Sequence, residues 1–276
     1  MKYITAIGGL SVGHWTEPAA LTGCTAIICE NGAVCGVDVR GSAPGTRETD
    51  LLRGYNSVTG INAVMLCGGS AFGLDAASGA MRYLEERGLG VDVGTGVVPI
   101  VPAAVIFDLG VGDSSIRPTK DDGYAACLDA KAGVYSTGRV GVGTGATVGK
   151  AFGPKFAMSS GIGSSCIDIG GGVKIGALVA VNALGDVYNP ETGCIVAGAR
   201  DGDGFLNCMS MTSKSAAPAG FTNTTIGVIA TNASLTREEA NKIASMGHDG
   251  LAMTIKPVHT HLDGDTLFAL STGEVQ

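Results

Sequence analysis

Residues 219–242 read AGFTNTTIGVIATNASLTREEANK, and an apolar run begins at the adjacent threonines inside this stretch. Threonine suits the start of a strand and asparagine suits the turn before it, so Asn223, Thr224 and Thr225 predict a turn that leads into a strand. On this interpretation the three residues are structural only. Asn223 and Asn232 also begin Asn-x-Thr and Asn-x-Ser patterns, which would be glycosylation sites in a secreted protein.

Further short strands are predicted along the chain. Each candidate is rich in Val, Ile, Thr or Ala and is bounded by Gly, Asn or Asp. The candidates are CTAIICE (24–30), GAVCGVDV (32–39), INAVMLC (61–67), GALVAVNA (176–183), TTIGVIATN (224–232) and TLFALST (266–272). Several are apolar on both faces, which indicates strands that are covered on both sides.

Two helices are predicted between these strands. Residues 70–88 carry an apolar stripe at helical spacing, and Ser70 is a suitable N-cap. The second helix begins at Thr236, because the spacing from Thr236 to Glu239 is that of a capping box, and it runs toward residues 246–247.

The composition is that of a globular protein with a large interior. The chain has 276 residues, of which 45% are hydrophobic and 16% are charged. We find no linker and no break in composition, so residues 1–276 are predicted to form one domain. The formal net charge of −7 does not support an extended phosphate-binding surface, and nucleic acid is not an expected partner.

The sequence predicts a cytoplasmic protein that does not bind membranes. The longest apolar run, residues 97–107, is broken by Pro99 and Pro102 and is too short to span a bilayer. The first residues, MKYITAIGGLSVGHW, have Gly-Gly where a signal peptide would have its apolar core. The eight cysteines are therefore expected to be reduced, and the glycosylation patterns are expected to be chance occurrences.

Several enzyme signatures fail by one position. The segment GTGATVGKA resembles a phosphate loop, but Thr144 stands where its first glycine belongs and Ala151 where its Ser or Thr belongs. GVGTGA, residues 141–146, misses the dinucleotide-binding spacing, and GGSAFG misses the nucleophile elbow because Phe72 occupies the last glycine position. No histidine has a spacing to a Ser or Cys that nominates a triad. A Gly-rich nucleotide- or cofactor-binding protein stays an alternative.

One hydrolytic chemistry needs no histidine. A threonine at a newly formed N-terminus carries its own base, since an α-amino group with a pKa of about 7.7 to 8 is substantially neutral at physiological pH. That amine can take the hydroxyl proton while Oγ attacks a carbonyl carbon. Thr224 gains such an amine only if the bond from Asn223 is cut. Residues 219–220 predict a flexible approach to that bond, and the strand after it predicts a stiff support.

Six segments, in this order, are similar to one known family. They are TGCTAIICENGAVCGVDVRGSAPGTRETDLL, AVMLCGGSAFGLDAASGAMRYLEERG, GTGATVGK, GALVAVNALGDVYNP, NTTIGVIATNASLTREEANKIA and HDGLAMTIKPVHTHLDGDTLFALSTG. Over nearly its whole length the chain resembles the N-terminal-nucleophile hydrolases that include the DmpA-type aminopeptidases and the nylon-oligomer hydrolases. The resemblance implies an α+β fold with four layers in the order α/β/β/α, and assembly as a homotetramer.

The resemblance also implies an activity. In the family, a proenzyme cuts itself before a Ser or Thr, which here would be the bond between Asn223 and Thr224, giving fragments 1–223 and 224–276. The product would be an amide hydrolase or aminopeptidase that acts on small peptides, amino-acid amides or linear amide oligomers. No metal or cofactor is expected. A family member that never processes itself is the other alternative.

Four further site residues follow from the resemblance, and each also has a structural explanation. Asp263 and Asp265 match carboxylates beside the nucleophile, although Asp-Gly-Asp is also typical of an ordinary hairpin turn. Asn182 matches an asparagine near the scissile carbonyl, although it could simply end a strand. Lys150 matches a lysine of the nylon-hydrolase branch, although it could be a solvated charge before a loop.

Overall fold

The computed structural model describes residues 3–54, 56–58, 60–211 and 223–276. Within these ranges the helices are α1 (Ala76–Glu85), α2 (Lys120–Asp129) and α3 (Arg237–Thr254). The strands are β1 (Leu10–Glu17), β2 (Thr22–Val39), β3 (Thr46–Arg47), β4 (Ile61–Cys67), β5 (Val91–Asp92), β6 (Val97–Val98), β7 (Ala103–Val105), β8 (Thr147–Val148), β9 (Met158–Ser159), β10 (Ile162–Gly170), β11 (Val173–Asn182), β12 (Asp186–Tyr188), β13 (Ile195–Ala197), β14 (Arg200–Asp201), β15 (Gly204–Phe205), β16 (Thr224–Ala233), β17 (Ile255–Lys256) and β18 (Thr266–Val275). Residues 219–220, the predicted flexible approach, lie outside the described residues.

The main sheet is mixed. Its strand order is β10-β11-β16-β18-β2-β4-β7-β3, and β1 pairs with β2 beside this path. Strand β16 runs parallel to β18 and antiparallel to β11, so the first residues of β16 and β18 lie at the same end of the sheet as the last residues of β11. All six predicted strand segments are strands, and the first two are one continuous strand, β2.

The long strand β2 joins two parts of this sheet. Its first half pairs with β1 and β4, and its second half pairs with β18. Successive residues point to opposite faces, as the strand period requires. Ile27 therefore packs into the central core with Val64, whereas Ile28 packs into a second cluster beneath α1 and α2.

The central core contains residues from both parts of the sheet. It brings residues of β2 and β4 together with residues of the second part, such as Val228 of β16 and Phe268 of β18. Helix α1 packs on β4, α2 packs on β1 and β2, and α3 packs against β2 and β18. The protein is an α+β fold, a mixed sheet with helices packed on it.

Helix α3 is longer than the sequence indicates. Its capping box is confirmed, since Thr236 and Glu239 make both reciprocal hydrogen bonds, but the helix continues to Thr254 instead of ending near residues 246–247. Gly247 does not end the helix. A Cβ at this position would lie 2.1 Å from Cδ1 of Ile229, so glycine lets the helix approach the sheet closely.

The other predicted helix is shorter than expected. Residues Ser70–Asp75 form a 3₁₀ helix, and the α-helix begins only at Ala76. Ser70 has a positive φ of 54° and lies inside the 3₁₀ helix, so the prediction that it is the N-cap is wrong. The serine instead lies beside the candidate site, where it lines a cavity.

The cysteine prediction is confirmed. All eight cysteines are free thiols, and all except Cys194 are buried. Among the described residues, no helix is both long enough and apolar enough to cross a lipid bilayer.

Helices α1 and α2 cross where each has a glycine. A Cβ at Gly79 would lie 1.7 Å from the carbonyl oxygen of Lys120, and a Cβ at Gly123 would lie 1.9 Å from that of Ala76. We expect Gly79→Ala to lower the free energy of unfolding by about 1–3 kcal/mol, because backbone atoms would have to move apart. Urea denaturation measures this effect.

The matched control is Gly250→Ala in α3. A Cβ at Gly250 meets no atom within 4 Å, so the same substitution there should raise the free energy of unfolding by up to about 1 kcal/mol through helix propensity. Equal effects of the two substitutions would show that the contact between α1 and α2 does not require glycine.

Candidate active site

Thr224 is the first residue of β16 and lies opposite Asn182, the last residue of β11. It is 4% exposed. Its hydroxyl donates a hydrogen bond to the carbonyl oxygen of Asn223, and the backbone N–H of Gly264 donates to the same oxygen at 3.1 Å. The carbonyl group before Thr224 is therefore held by two donors, one of which is the Thr224 hydroxyl.

The two predicted carboxylates lie next to this bond. Asp265 accepts a hydrogen bond from the backbone N–H of Thr225 at 2.5 Å, and Asp263 accepts one from the N–H of Thr260 at 2.6 Å. Their exposed fractions are 1% and 2%, so they do not lie in a solvated hairpin turn. Burial raises the pKa of Asp263, and the neighbouring charge of Asp265 raises it further.

The loop after β2 fixes the backbone of these two acids. The N–H of Arg40 donates to the carbonyl oxygen of Asp265 at 2.7 Å, and the N–H of Ala43 donates to that of Asp263 at 3.0 Å. The close packing of this loop against residue 264 requires glycine there, since a Cβ at Gly264 would lie 2.4 Å from the carbonyl oxygen of Ala43. The segment RGSAPG, residues 40–45, thus contacts the site through its backbone.

Lys150 and Asn182 form a second group beside Thr224. Lys150 Nζ donates to the side-chain oxygen of Asn182 at 2.8 Å and to its backbone oxygen at 3.0 Å. Asn182 Nδ2 donates to the carbonyl oxygen of Phe107 at 3.1 Å, and its Oδ1 also accepts from Thr147. Lys150 is therefore engaged in the site and is not a solvated charge.

The pKa of Lys150 is lowered to about 7. Burial is the main cause, because it disfavours the charged ammonium. The negative charges of Asp263, Asp108 and Asp265 act in the opposite direction and hold the pKa up. A lysine with this pKa can exchange a proton near neutrality.

Sequence reasoning missed Asp108. This residue is 3% exposed and accepts hydrogen bonds from the hydroxyl of Thr22 at 2.8 Å and the N–H of Gly69 at 2.6 Å. Burial raises the pKa of Asp108, and the Lys150 charge partly opposes that rise. The available signal was a carboxylate placed directly after the apolar run 97–107.

Sequence reasoning also missed His259. Its Nδ1 lies 2.7 Å from Oδ2 of Asp265, and its backbone N–H donates to the same oxygen at 3.2 Å. Burial lowers the pKa of His259, but the hydrogen bond and charge of Asp265 outweigh that effect and leave the pKa raised. A His six positions before an Asp across a turn-rich segment gave no recognisable motif.

A cavity of about 210 Å³ opens beside Thr224. Its lining is mostly small and apolar, with one further hydroxyl. The lining residues are Ala43, Pro44, Gly45, Ser70, Ala71, Val105, Phe107 and Thr224. The candidate nucleophile therefore faces a space that a small uncharged group can fill.

The Gly-rich segment does not have the geometry of a phosphate loop. Residues Gly141–Gly143 form a buried 3₁₀ turn, and Thr147–Val148 form β8, which pairs with β9. A phosphate loop leads into an α-helix, and in the described part of the chain the next helical element is the 3₁₀ turn Pro154–Phe156. The segment instead supplies Lys150 to the site around Thr224.

The structure brings the sequence-predicted residues together at one end of the sheet. Asn182 and Thr224 are register partners, Lys150 binds Asn182, and Asp265 binds the residue after Thr224. The sequence profile of peptidase family S58 matches residues 2–276. The chain belongs to this family. Membership of peptidase family S58 makes it an amide-bond hydrolase, as the sequence predicted.

Relatives of known sequence or structure agree with this assignment. An uncharacterized aminopeptidase of Mycobacterium tuberculosis is 46% identical over 293 positions, which cover 100% of this chain and 83% of that protein. A 6-aminohexanoate-oligomer endohydrolase of Kocuria sp. is 33% identical over 276 positions, covering 97% of this chain and 74% of that protein.

The solved structures share the fold. The L-aminopeptidase D-Ala-esterase/amidase of Ochrobactrum anthropi, described as a variant of the Ntn hydrolase fold, superposes with a TM-score of 0.72 at 20% identity. The match covers 99% of this chain and 74% of that one.

Proposed function

We propose that this member of peptidase family S58 is an autoproteolytic hydrolase that cuts its own bond between Asn223 and Thr224 and then uses Thr224 as an N-terminal nucleophile. The observation that carries the proposal is the geometry of this bond. The Thr224 hydroxyl and the Gly264 N–H both donate to the Asn223 carbonyl oxygen. The nucleophile and one donor for the developing negative charge are thus in place before cleavage.

The self-cleavage step moves the acyl group from nitrogen to oxygen. Oγ of Thr224 attacks the carbonyl carbon of Asn223, the C–N bond breaks, and the nitrogen of Thr224 takes a proton and becomes the free amine. Water then hydrolyses the resulting ester and gives residue 223 a carboxylate. The buried side-chain amide of Asn223 has no hydrogen-bond partner among the described residues, and an unpaired buried amide costs about 1–3 kcal/mol. Release of residue 223 removes that cost.

Self-cleavage requires a base other than the α-amine, because the nitrogen of Thr224 is still an amide at this stage. We assign that role to Lys150, whose pKa of about 7 leaves a large neutral fraction near neutrality. Its Nζ is hydrogen-bonded to Asn182, the register partner of Thr224.

The free amine of Thr224 becomes the base in the mature enzyme. Asp263 and Asp265 orient this amine, and Lys150 compensates their negative charge, since an uncompensated carboxylate would favour the protonated amine. Asn182 is a neutral amide at the end of a buried strand, and we assign its Nδ2 to the developing oxyanion of the substrate, a contribution of order 3 kcal/mol.

The cavity beside Thr224 supports a small uncharged acyl group as substrate. Its lining offers two hydroxyl groups and apolar carbon atoms, and it includes no ionisable side chain from the described residues. Amino-acid amides, short peptides and linear amide oligomers all present such a group. A relative is named as an endohydrolase of 6-aminohexanoate oligomers, which adds support for the linear oligomers.

The finer architectural predictions belong to the same proposal. A central core that takes residues from both parts of the sheet, together with a second cluster beneath α1 and α2, supports the four-layer α/β/β/α order. A homotetramer and a cytoplasmic location follow from the family resemblance and the sequence, and they stay predictions.

The purified, denatured wild-type chain should give two masses, for fragments 1–223 and 224–276. N-terminal sequencing of the smaller fragment should begin Thr-Thr-Ile-Gly, because Thr224 would then be its first residue. A single species of 27.5 kDa would favour a family member that does not process itself. A different first residue would remove Thr224 from its assigned role.

A further inference from the structure

We propose that His259 is a positioning residue that, in its protonated form, neutralises Asp265 and thereby keeps the bases of the Thr224 centre able to accept protons. This inference rests on the proposed function of Thr224 and Lys150. It adds a group that does not itself touch the reacting atoms. His259 acts through the carboxylate that it binds.

The first support is the hydrogen bonding of Asp265. The carboxylate is 1% exposed, so solvent does not screen its charge effectively. Oδ1 accepts from the N–H of Thr225 at 2.5 Å, while Oδ2 accepts from the N–H of His259 at 3.2 Å and lies 2.7 Å from Nδ1 of the same residue. Of these three partners, only the imidazole can carry a full positive charge.

The second support is the way in which the imidazole is held. His259 has a positive φ of 53°, which is uncommon for a residue with a side chain and costs backbone energy. This conformation lets both its backbone N–H and its ring meet one carboxylate oxygen. The ring also packs edge to face on His248 of α3, with centroids 4.8 Å apart. The ring orientation is therefore fixed from two sides.

The charges that surround His259 favour its role. Asp265 attracts the imidazolium, and Arg40, the first residue after β2, opposes it. The raised pKa of His259 shows that the effect of Asp265 is the larger. The neighbouring His248 has a pKa lowered by burial, and its Nε2 lies 3.1 Å from the carbonyl oxygen of Asp38. The two histidines therefore differ, since the pKa of His248 is lowered and that of His259 is raised.

The charge on His259 also affects the pKa of Lys150. Asp265 is one of three carboxylates whose charge raises the pKa of Lys150 against the effect of burial. A cation bound to Asp265 cancels part of that charge and keeps the Lys150 pKa low. Loss of the imidazolium should therefore raise the pKa of Lys150, and by the same argument the pKa of the Thr224 amine. Both bases would then stay protonated up to a higher pH.

The test is the pH dependence of self-cleavage in His259→Gln. Chains are made by cell-free translation, transferred to buffers from mildly acidic to mildly alkaline, and followed by gel electrophoresis. We expect the acidic limb of the rate profile to move to higher pH by up to about one unit, because an adjacent charge shifts a pKa by about 1–3 units and His259 acts on Lys150 only through Asp265. The rate should approach that of the wild type in alkaline buffer, because Lys150, the base for self-cleavage, is neutral there.

His261→Gln is the matched control, since His261 is two positions away and exposed. It should keep the wild-type profile. A merely structural role of His259 would lower the rate by the same factor at every pH. That result, or an unchanged profile in His259→Gln, would overturn the inference.

A second measurement does not depend on processing. The pKa of the His259 imidazole, followed by NMR, should be above the ordinary histidine value in the wild type and should fall in Asp265→Asn. If the wild-type chain never processes, the proposed function fails, and the NMR titration still decides the pairing. A His259 pKa that does not respond to Asp265→Asn would overturn the inference even in a fully active enzyme.

Discussion

Replacement of Thr224 by valine should leave the chain as a single species of 27.5 kDa with no measurable amide hydrolysis. Valine keeps the branched shape that Thr224 presents at the start of β16 and replaces only the hydroxyl group. The loss of a catalytic nucleophile costs on the order of 10⁶-fold in turnover. Intact mass of the denatured protein measures processing, and a panel of amino-acid amides, short peptides and linear amide oligomers measures turnover.

The neighbouring residue supplies the control. Thr225 is fully buried, and its hydroxyl has no hydrogen-bond partner among the described residues. Thr225→Val makes the same change one position later and should process normally, with equal or greater stability, because it removes an unsatisfied buried oxygen. If the Thr224→Val chain is still cut before residue 224, another group attacks the Asn223 carbonyl.

Local composition alone indicates these two threonines but not their surroundings, and only the family resemblance implies the four neighbouring site residues. The strand at Thr224 follows from local composition, and its functional importance follows from the family resemblance. Thr224 lies opposite Asn182 because β16 pairs with β11 in antiparallel register, although the two strands are far apart in the chain. Register is set by the whole buried face of the sheet, so one segment cannot reveal it.

The groups that sequence reasoning missed come from loops. Asp108 follows β7, and His259 lies between β17 and β18. Neither has a motif around it, because a loop side chain needs only to reach the site and its neighbours in sequence are free to vary. The continuous strand β2 shows the same limit in the fold. Asn31 separates two predicted strands, yet β4 pairs with β2 on both sides of it, across a register shift between Ile28 and Ala33 where Gly32 has a positive φ of 77°.

Replacement of Lys150 by methionine should slow self-cleavage by about 10²- to 10⁴-fold, the usual loss for a positioned proton acceptor. The pKa of Lys150 is about 7, so in the wild type the amine is protonated and inactive as a base below that value and neutral above it. Wild-type cleavage should therefore slow as the pH falls through about 7. In Lys150→Met, the cleavage rate should not show this fall around pH 7 and should stay low at every pH. Cell-free translation into buffers of different pH measures both profiles.

Lys174→Met is the matched control, because Lys174 also donates from Nζ to a backbone oxygen, that of Ala6 at 3.2 Å, but outside the site. It should process at the wild-type rate. Near-UV circular dichroism checks the fold of both variants, since removal of one partner from a buried charge cluster costs about 3–5 kcal/mol.

Lys150→Arg separates the two roles assigned to this residue. Arginine keeps the positive charge that compensates Asp108, Asp263 and Asp265, but its guanidinium stays protonated in proteins and cannot accept a proton. If Lys150 acts as the base for self-cleavage, Lys150→Arg should be as slow as Lys150→Met. If charge compensation is its only task, the arginine variant should process at close to the wild-type rate. In that case the acidic limb belongs to another group, and the assignment of Lys150 as the base is wrong.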